Sequence, residues 1–243
     1  MRQVASGVTL YERVDLGWPA TVYNSDGVTL RPKLAAPARW KTVHYTGAYV
    51  DYEDRGDFAA ECQALERYAV SAGKSNEYNW IIGADGPSAA CIATYAGDYQ
   101  AAHSSGENAQ AIGILFLNGV DQRVTDSEVL AFRWLVADLF NRGRTGPATS
   151  TTPHCDMPDA ATPCPGDQVL ARWDELLVPY TAGGDDMAVD YDEIERRIRK
   201  VLDEGTGFGL QSWAQTNAEI LAVVQANHND LQTVKDALGA DDG

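Results

Sequence analysis

Residues 111–117 read Ala-Ile-Gly-Ile-Leu-Phe-Leu, an almost wholly apolar run. A run of this kind predicts a strand at the centre of a sheet, where both faces of the strand are buried. Shorter runs rich in β-branched and aromatic residues occur earlier in the chain, at residues 40–46, 80–83 and 91–95. They predict three further strands of the same sheet.

The segments around these strands carry helical patterns. Apolar side chains recur at spacings of three and four between residues 58 and 69, which predicts an amphipathic helix. A capping-box pattern at residues 125–128 begins a second helix that ends near Gly143, and a third helix follows Gly166. The sequence therefore predicts an α/β fold, with a mixed central β-sheet flanked by helices.

The chain is strongly acidic. Its 243 residues include 35 Asp and Glu against 19 Lys and Arg, a formal net charge of -16 at pH 7. This net field repels nucleic acids and anionic lipids, so we expect no nucleic-acid partner. No apolar run approaches the length of about 18 residues that predicts membrane insertion. Charges at Arg2, Glu12, Arg13 and Asp15 interrupt the apolar stretch that a signal peptide needs, so we expect no secretion signal.

The character of the sequence changes after Pro179. Residues 181–186 read Thr-Ala-Gly-Gly-Asp-Asp, a composition typical of a linker. Residues 1–180 carry 22 acidic and 14 basic side chains, whereas residues 181–243 carry 13 and 5. We therefore predict a first domain at 1–180, a linker at 181–188 and a helical C-terminal segment at 189–243.

The C-terminal segment contains a coiled-coil pattern. Residues on one seam recur at alternating spacings of three and four across 210–238. Asn217 and Asn227 lie on this seam, where buried polar residues can set register and strand number. The pattern predicts a homo-oligomer formed through residues 210–238. The alternative is that this stripe folds back on the first domain.

The four cysteines are too few and too scattered for a disulfide scaffold. Cys62 and Cys91 lie among apolar neighbours, which predicts reduced, buried thiols, with a disulfide between them as the alternative. Cys155 adjoins His154, and we predict a free thiol there because adjacent side chains point apart.

His44, His154 and Cys164 are potential metal ligands. A catalytic zinc ion takes three protein ligands and suits nitrogen and thiolate donors. His44 lies on a predicted strand, so its side chain projects from one face of the sheet. His154 and Cys164 lie on a loop stiffened by four prolines. Their spacing alone identifies no metal site, and the flanking residues make the pattern specific.

Four motifs occur in order between roughly residues 38 and 180. They are Val43-His44-Tyr45-Thr46, Tyr78-Asn79-Trp80-Ile81-Ile82 followed by Asp85-Gly86, His103-Ser-Ser-Gly-Glu-Asn108 running into Ile112-Gly113-Ile114, and His154 with Thr162-Pro-Cys-Pro-Gly166. In this order the motifs resemble the zinc-dependent N-acetylmuramoyl-L-alanine amidases of the type-2 amidase and peptidoglycan-recognition-protein superfamily, which includes phage lysozymes of amidase type.

The resemblance implies hydrolysis of the amide that joins the lactyl group of N-acetylmuramic acid to L-alanine, with peptidoglycan as the substrate. It implies that His44, His154 and Cys164 bind Zn2+, which would activate water and polarise the carbonyl. Tyr78 and Thr162 fall on the positions of catalytic hydroxyl groups, and either could donate a hydrogen bond to the developing oxyanion.

The remaining motif residues leave two points open. His103 and Asn108 are predicted to contact substrate, with a structural role for His103 as the alternative. Some relatives carry lysine two residues before the cysteine ligand, or glutamate just after the Ile-Gly-Ile segment, where this chain has Thr162 and Leu115. No motif therefore places a carboxylate, and the identity of the general base stays open.

The four motifs together predict a phage or prophage endolysin. We expect it to be held in the host cytoplasm until lysis, because no signal peptide is expected. A virion-associated wall hydrolase, anchored to a tail structure by the coiled coil, is one alternative. A non-catalytic peptidoglycan-binding module is the other. Cys164 favours catalysis, because relatives that only bind peptidoglycan commonly lack this ligand.

Overall fold

The structure is a computed structural model that describes residues 1–47, 57–74, 76–86, 88–158 and 160–181. The strands in these ranges are β1 Arg2–Ala5, β2 Val8–Tyr11, β3 Trp40–Tyr45, β4 Trp80–Ala84, β5 Ala90–Thr94, β6 Ala111–Phe116 and β7 Ser150–Pro153. They form one sheet in the order β1-β2-β5-β4-β6-β3-β7. Two neighbouring pairs, β1 with β2 and β4 with β5, are antiparallel and the others are parallel. The predicted mixed sheet is confirmed.

Strand β6 lies inside the sheet, and all six of its residues are buried. Its parallel neighbours are β4 on one side and β3 on the other. The apolar run at 111–117 therefore forms the buried strand that its composition predicts, since a strand covered on both faces has no position for a polar side chain.

Different helices cover the two faces of the sheet. Helix α1 spans Phe58–Ser71 and helix α2 spans Asp126–Asn141. In β4, Ile81 packs in a cluster with residues of α1, whereas the next residue, Ile82, packs in a cluster with residues of α2. This alternation follows from the two-residue period of a strand. None of the helices in the described ranges is long and apolar enough to cross a membrane.

The third predicted helix is wrong in its extent. Two short helices, α3 at Asp167–Leu170 and α4 at Trp173–Leu176, replace it. Arg172 lies between them with a φ of -107°, and its guanidinium donates hydrogen bonds to the Val124 carbonyl at 2.8 Å and to Asp126 at 2.7 Å. These contacts hold the turn against the start of α2, which a helical period alone does not reveal.

Strands β1, β2 and β7 are absent from the sequence prediction. Strand β7 is the edge strand Ser-Thr-Thr-Pro, whose polar composition resembles a loop. Its identity as a strand comes from its parallel pairing with β3, which is a tertiary contact. Strands β1 and β2 form a hairpin that joins the sheet through the parallel pair β2–β5.

Residues Met1–Tyr180 form one compact unit. Within it Cys62 and Cys91 are both buried and free, as the sequence predicts. The predicted linker, apart from Thr181, and the predicted helical segment at 189–243 lie outside the described residues. The coiled coil and the homo-oligomer therefore stay predictions.

Candidate metal centre

Two neighbouring parallel strands bring His44 and His154 together. In the register of β3 with β7, Val43 pairs with Pro153. The next residues in the chain are the two histidines, His44 within β3 and His154 directly after the end of β7. Val43 packs in the α2-side cluster, and His44 therefore projects from the opposite face. The ring centroids of His44 and His154 are 4.4 Å apart.

The loop after His154 returns Cys164 to the same place. The backbone N–H of Cys155 donates to the carbonyl of Cys164 at 2.7 Å and closes the loop. Sγ of Cys164 lies 3.6 Å from Nδ1 of His44. One ligand atom from each of His44, His154 and Cys164 lies within 4.8 Å of the others. The structure thus brings together the three predicted ligands.

Gly166 allows the loop that carries Cys164 to pack closely against Tyr45. Gly166 has a φ of +79°, and a Cβ atom there would lie 2.8 Å from the ring of Tyr45. Tyr45 is the residue after His44 on β3. The aromatic ring can therefore pack against the backbone that follows Cys164 only because residue 166 has no side chain.

The donor set fits a zinc ion. Two imidazoles and one thiolate match a catalytic zinc site with an open fourth position. Tetrahedral zinc with ordinary bond lengths separates its nitrogen and sulfur ligands by about 3.6 Å, which agrees with the distance between His44 and Cys164. His44 is 2% exposed and Cys164 8%, whereas His154 is half-buried. The open side of the site is therefore the side of His154.

Burial sets the protonation of the three ligands. It lowers the pKa of His44, helped by the neighbouring histidines, and lowers the pKa of His154. Both imidazoles are thus neutral at pH 7, as metal binding requires. Burial also raises the pKa of the Cys164 thiol to about 12. A metal ion must therefore displace the proton of Cys164 when it binds.

The ring of His103 lies next to the Nε2 atom of His44. Nδ1 of His103 is 3.1 Å from Nε2 of His44, and Nε2 of His103 is 3.1 Å from the carbonyl oxygen of Ala111. The His103 side chain is buried, and burial lowers its pKa to about 4. Both of its ring nitrogens are engaged within the protein.

Asn108 organises the turn that carries His103. Its Oδ1 accepts hydrogen bonds from the backbone N–H of His103 at 3.0 Å and of Ser104 at 2.8 Å. Substrate contact by His103 and Asn108 stays a prediction. The geometry gives both residues a role inside the protein.

Tyr78 and Thr162 each contact one of the three ligands. The ring of Tyr78 is 5.1 Å from that of His44, and burial raises the pKa of its phenol, which stays protonated at pH 7. Oγ1 of Thr162 accepts the backbone N–H of Cys164 at 3.2 Å. Both hydroxyl groups therefore have a proton to donate.

Gly113 makes room for the ring of His103, a role that the motif did not predict. A Cβ atom on Gly113 would lie 2.6 Å from the His103 ring. The position of Leu115 is also informative: it pairs with His44 across β3 and β6 and is fully buried. The cross-strand partner of His44 on β6 is thus an aliphatic side chain and not a carboxylate. A glycine inside an apolar strand is the sequence pattern that could have indicated the close approach at Gly113.

Solved structures share this fold. Drosophila peptidoglycan recognition protein (PGRP) SA matches with a TM-score of 0.55 and 21% identity, over 69% of this chain and 91% of that chain. A variant of Drosophila PGRP-LB in complex with tracheal cytotoxin matches with a TM-score of 0.54 and 20% identity, over 71% and 96%. PGRP-LE in complex with tracheal cytotoxin, a monomeric diaminopimelic acid-type peptidoglycan, matches with a TM-score of 0.55 and 19% identity, over 69% and 94%.

No curated protein sequence matches the chain. The family model described as N-acetylmuramoyl-L-alanine amidase matches residues 34–167, more than half of the chain, and this range contains all three residues of the ligand cluster. The chain therefore belongs to the N-acetylmuramoyl-L-alanine amidase family.

Proposed function

We propose that this protein is a zinc-dependent amidase that hydrolyses the bond between N-acetylmuramic acid and L-alanine in peptidoglycan. The observation that carries the proposal is the cluster of His44, His154 and Cys164, whose ligand atoms lie within 4.8 Å of one another. Membership of the amidase family supports the choice of bond and substrate.

Bound zinc would supply a Lewis acid that polarises the amide carbonyl and acidifies water. In the hydrolysis, the oxygen of water bonds to the carbonyl carbon, the C–N bond breaks, and the amine leaves with a proton. Negative charge develops on the carbonyl oxygen during this reaction. Tyr78 and Thr162 are suited to stabilise that charge, because each keeps a hydroxyl proton beside the ligand cluster. One well-placed donor contributes roughly 3 kcal/mol to such a reaction.

The exposure of the ligands supports an approach of substrate from one direction. His44 and Cys164 are buried, whereas His154 is half-buried. A scissile amide would therefore reach the cluster past His154, the most exposed of the three residues that would hold zinc.

Peptidoglycan binding without catalysis is the second candidate function. Three solved structures with this fold are peptidoglycan recognition proteins in complex with tracheal cytotoxin. The cluster of three ligands favours catalysis, because a site that only binds a glycopeptide needs no buried thiol beside two histidines.

The test is digestion of purified peptidoglycan, followed by mass spectrometry of the products and metal analysis of the protein. The proposal expects about one zinc ion per chain and free stem peptides that begin with L-alanine. Chelation should abolish the release and added zinc should restore it. Binding of the wall without zinc and without released peptides would instead establish the second candidate.

We further propose that the protein acts as a phage or prophage endolysin, which is held in the host cytoplasm until lysis. Expression of the intact chain in the cytoplasm should leave cells whole until the membrane is permeabilised, and lysis should then follow. Assembly through residues 210–238 is tested by light scattering, where a monomer would exclude it. Purification of virions would detect the alternative, a wall hydrolase carried by the particle.

A further inference from the structure

We propose that His103 is a positioning residue for the metal centre: it accepts a hydrogen bond from Nε2–H of His44 and so keeps Nδ1 of His44 unprotonated and directed at the metal. This inference rests on the proposed function, because it concerns the zinc site of the amidase. His103 would act through His44 and would not touch the substrate.

The backbone carbonyl of Ala111 decides the direction of these hydrogen bonds. A carbonyl oxygen can only accept, so Nε2 of His103, 3.1 Å away, carries the proton and donates it. In a neutral imidazole the other nitrogen then has no proton, so Nδ1 of His103 is an acceptor. Its neighbour at 3.1 Å is Nε2 of His44, which must be the donor.

The tautomer of His44 determines which of its ring nitrogens can bind the metal ion. Because Nε2 of His44 carries the proton, Nδ1 of His44 presents a lone pair. This is the atom that lies 3.6 Å from Sγ of Cys164. One carbonyl oxygen thus selects the tautomers of two histidines in succession, and the second tautomer is the form that binds a metal ion.

Burial makes this selection strict. His44 is 2% exposed and His103 is 8% exposed. If His103 were absent, water would have little access to the buried N–H of His44, and an unpaired buried donor is costly. His44 could avoid that cost by turning its ring or exchanging tautomer, and either change would remove the lone pair from the metal position.

Two further residues of the same motif hold His103 in place. Asn108 binds the backbone N–H groups of His103 and Ser104 through its side-chain oxygen. Gly113 leaves the space that the imidazole fills, since a Cβ atom there would lie 2.6 Å from the ring. Residues of the motif from His103 to Gly113 therefore hold one acceptor nitrogen, Nδ1 of His103, against His44.

The test compares His103→Phe with His103→Asn. Phenylalanine keeps the ring and loses the acceptor, whereas asparagine loses the ring and keeps an oxygen where Nδ1 lies. Zinc affinity is measured by competition with a chelator. We expect His103→Phe to bind zinc about 10- to 100-fold more weakly than wild type, the range typical of outer-shell partners. We expect His103→Asn to bind zinc more tightly than His103→Phe.

The order of the zinc affinities of the two variants distinguishes a positioning role from simple packing. If His103 only filled space, His103→Asn would be the worse variant because it removes more packing volume. That order, or a zinc affinity of His103→Phe equal to wild type, would overturn the inference. Long-range proton–nitrogen NMR of the metal-free protein gives a second readout, in which His44 and His103 should both carry their proton on Nε2. A proton on Nδ1 of His44 would also overturn it.

Gly113→Ala displaces His103 without changing its chemistry. It should weaken zinc binding as His103→Phe does, whereas Gly146→Ala is the matched control, because a Cβ atom there meets only ordinary contacts with Pro37 from 3.6 Å. The result is independent of catalysis. Zinc bound with the expected order of affinities but no cleavage of peptidoglycan would defeat the proposed function alone, and cleavage with tight zinc binding by His103→Phe would defeat this inference alone.

Discussion

Sγ of Cys164 lies 3.6 Å from Nδ1 of His44, although 120 residues separate the two in the sequence. The contact depends on the pairing of β3 with β7 and on the loop that returns from His154. Neither His44 nor Cys164 is more than 8% exposed. The two ligands are therefore held at the spacing of a metal site by the fold itself.

Replacement of Cys164 by serine should remove zinc binding. A serine hydroxyl is a poor zinc ligand, so we expect zinc affinity to fall by more than about 100-fold, beyond the range of outer-shell substitutions. Isothermal titration with zinc measures the change. Cys155→Ser is the matched control and should bind zinc as wild type does, since Cys155 is free and outside the ligand cluster. Equal losses in both variants would contradict the assigned ligand set.

Gly166→Ala should damage the metal centre through Tyr45. The added Cβ atom would lie 2.8 Å from the Tyr45 ring, so the loop that carries Cys164 must move. Gly143→Ala is the matched control, because Gly143 also has a positive φ, of +67°, but has nothing within 4 Å of the added atom. Gly143→Ala should lose about 1 kcal/mol of unfolding free energy through backbone strain. Gly166→Ala should lose more, because its φ of +79° and ψ of 162° suit only glycine and because its added atom meets the Tyr45 ring. Only Gly166→Ala should bind zinc more weakly, and unchanged binding would show that this contact does not position Cys164.

Lys41→Met should stabilise the protein at pH 7. Lys41 is 6% exposed, donates to the Thr149 carbonyl at 3.0 Å, and has its pKa lowered by burial from 10.5 to about 8. Below pH 8 the folded protein bears the cost of a buried charge, and above pH 10.5 it does not, so wild-type stability rises across this window. We expect a gain of about 2 kcal/mol at pH 7, after loss of the hydrogen bond.

Urea unfolding at several pH values measures the effect of Lys41→Met. The gain over wild type should shrink as the pH rises from 8 towards 10.5. Lys74→Met is the control, because the Lys74 side chain is 62% exposed, and we expect it to change the unfolding free energy by less than about 0.5 kcal/mol. A gain that is independent of pH would point to packing as its source.

Thr125→Ala should weaken the fold and leave the metal centre intact. Thr125 caps α2, because its hydroxyl oxygen accepts a hydrogen bond from the backbone N–H of Glu128 at 3.2 Å. The carboxylate of Glu128 in turn accepts a hydrogen bond from the backbone N–H of Thr125 at 2.8 Å. Loss of such a cap costs about 1 kcal/mol. Thermal unfolding measures the loss, and Ser6→Ala, in the exposed turn between β1 and β2, serves as the control. A change in zinc affinity would mean that α2 is coupled to the site.

Patterns that are local in sequence predicted most of the secondary structure. The apolar run at 111–117 predicted the central strand β6, and the capping box at Thr125 predicted the start of α2, because burial and helix capping involve neighbouring residues. Strand β7 was not predictable in this way. Its polar residues become a strand only by pairing with β3, more than 100 residues earlier.

The roles within the third motif were equally hidden. His103 and Asn108 were predicted to contact substrate, with a structural role for His103 as the alternative, but the sequence does not specify that the ring of His103 lies between Ala111 and His44. Hydrogen bonds of buried side chains depend on distances of a few tenths of an ångström, which no spacing in the sequence specifies.

The sequence by itself determined the α/β class, the central strand, the two long helices and the three residues that could bind a metal ion. Tertiary structure alone decided that β7 lies beside β3, that His44, His154 and Cys164 meet, and that His103 lies behind them. The physical reason is the range of the forces involved. Periodicity and capping act over a few neighbouring residues, whereas strand register and buried hydrogen bonds join residues that only the completed fold brings into contact.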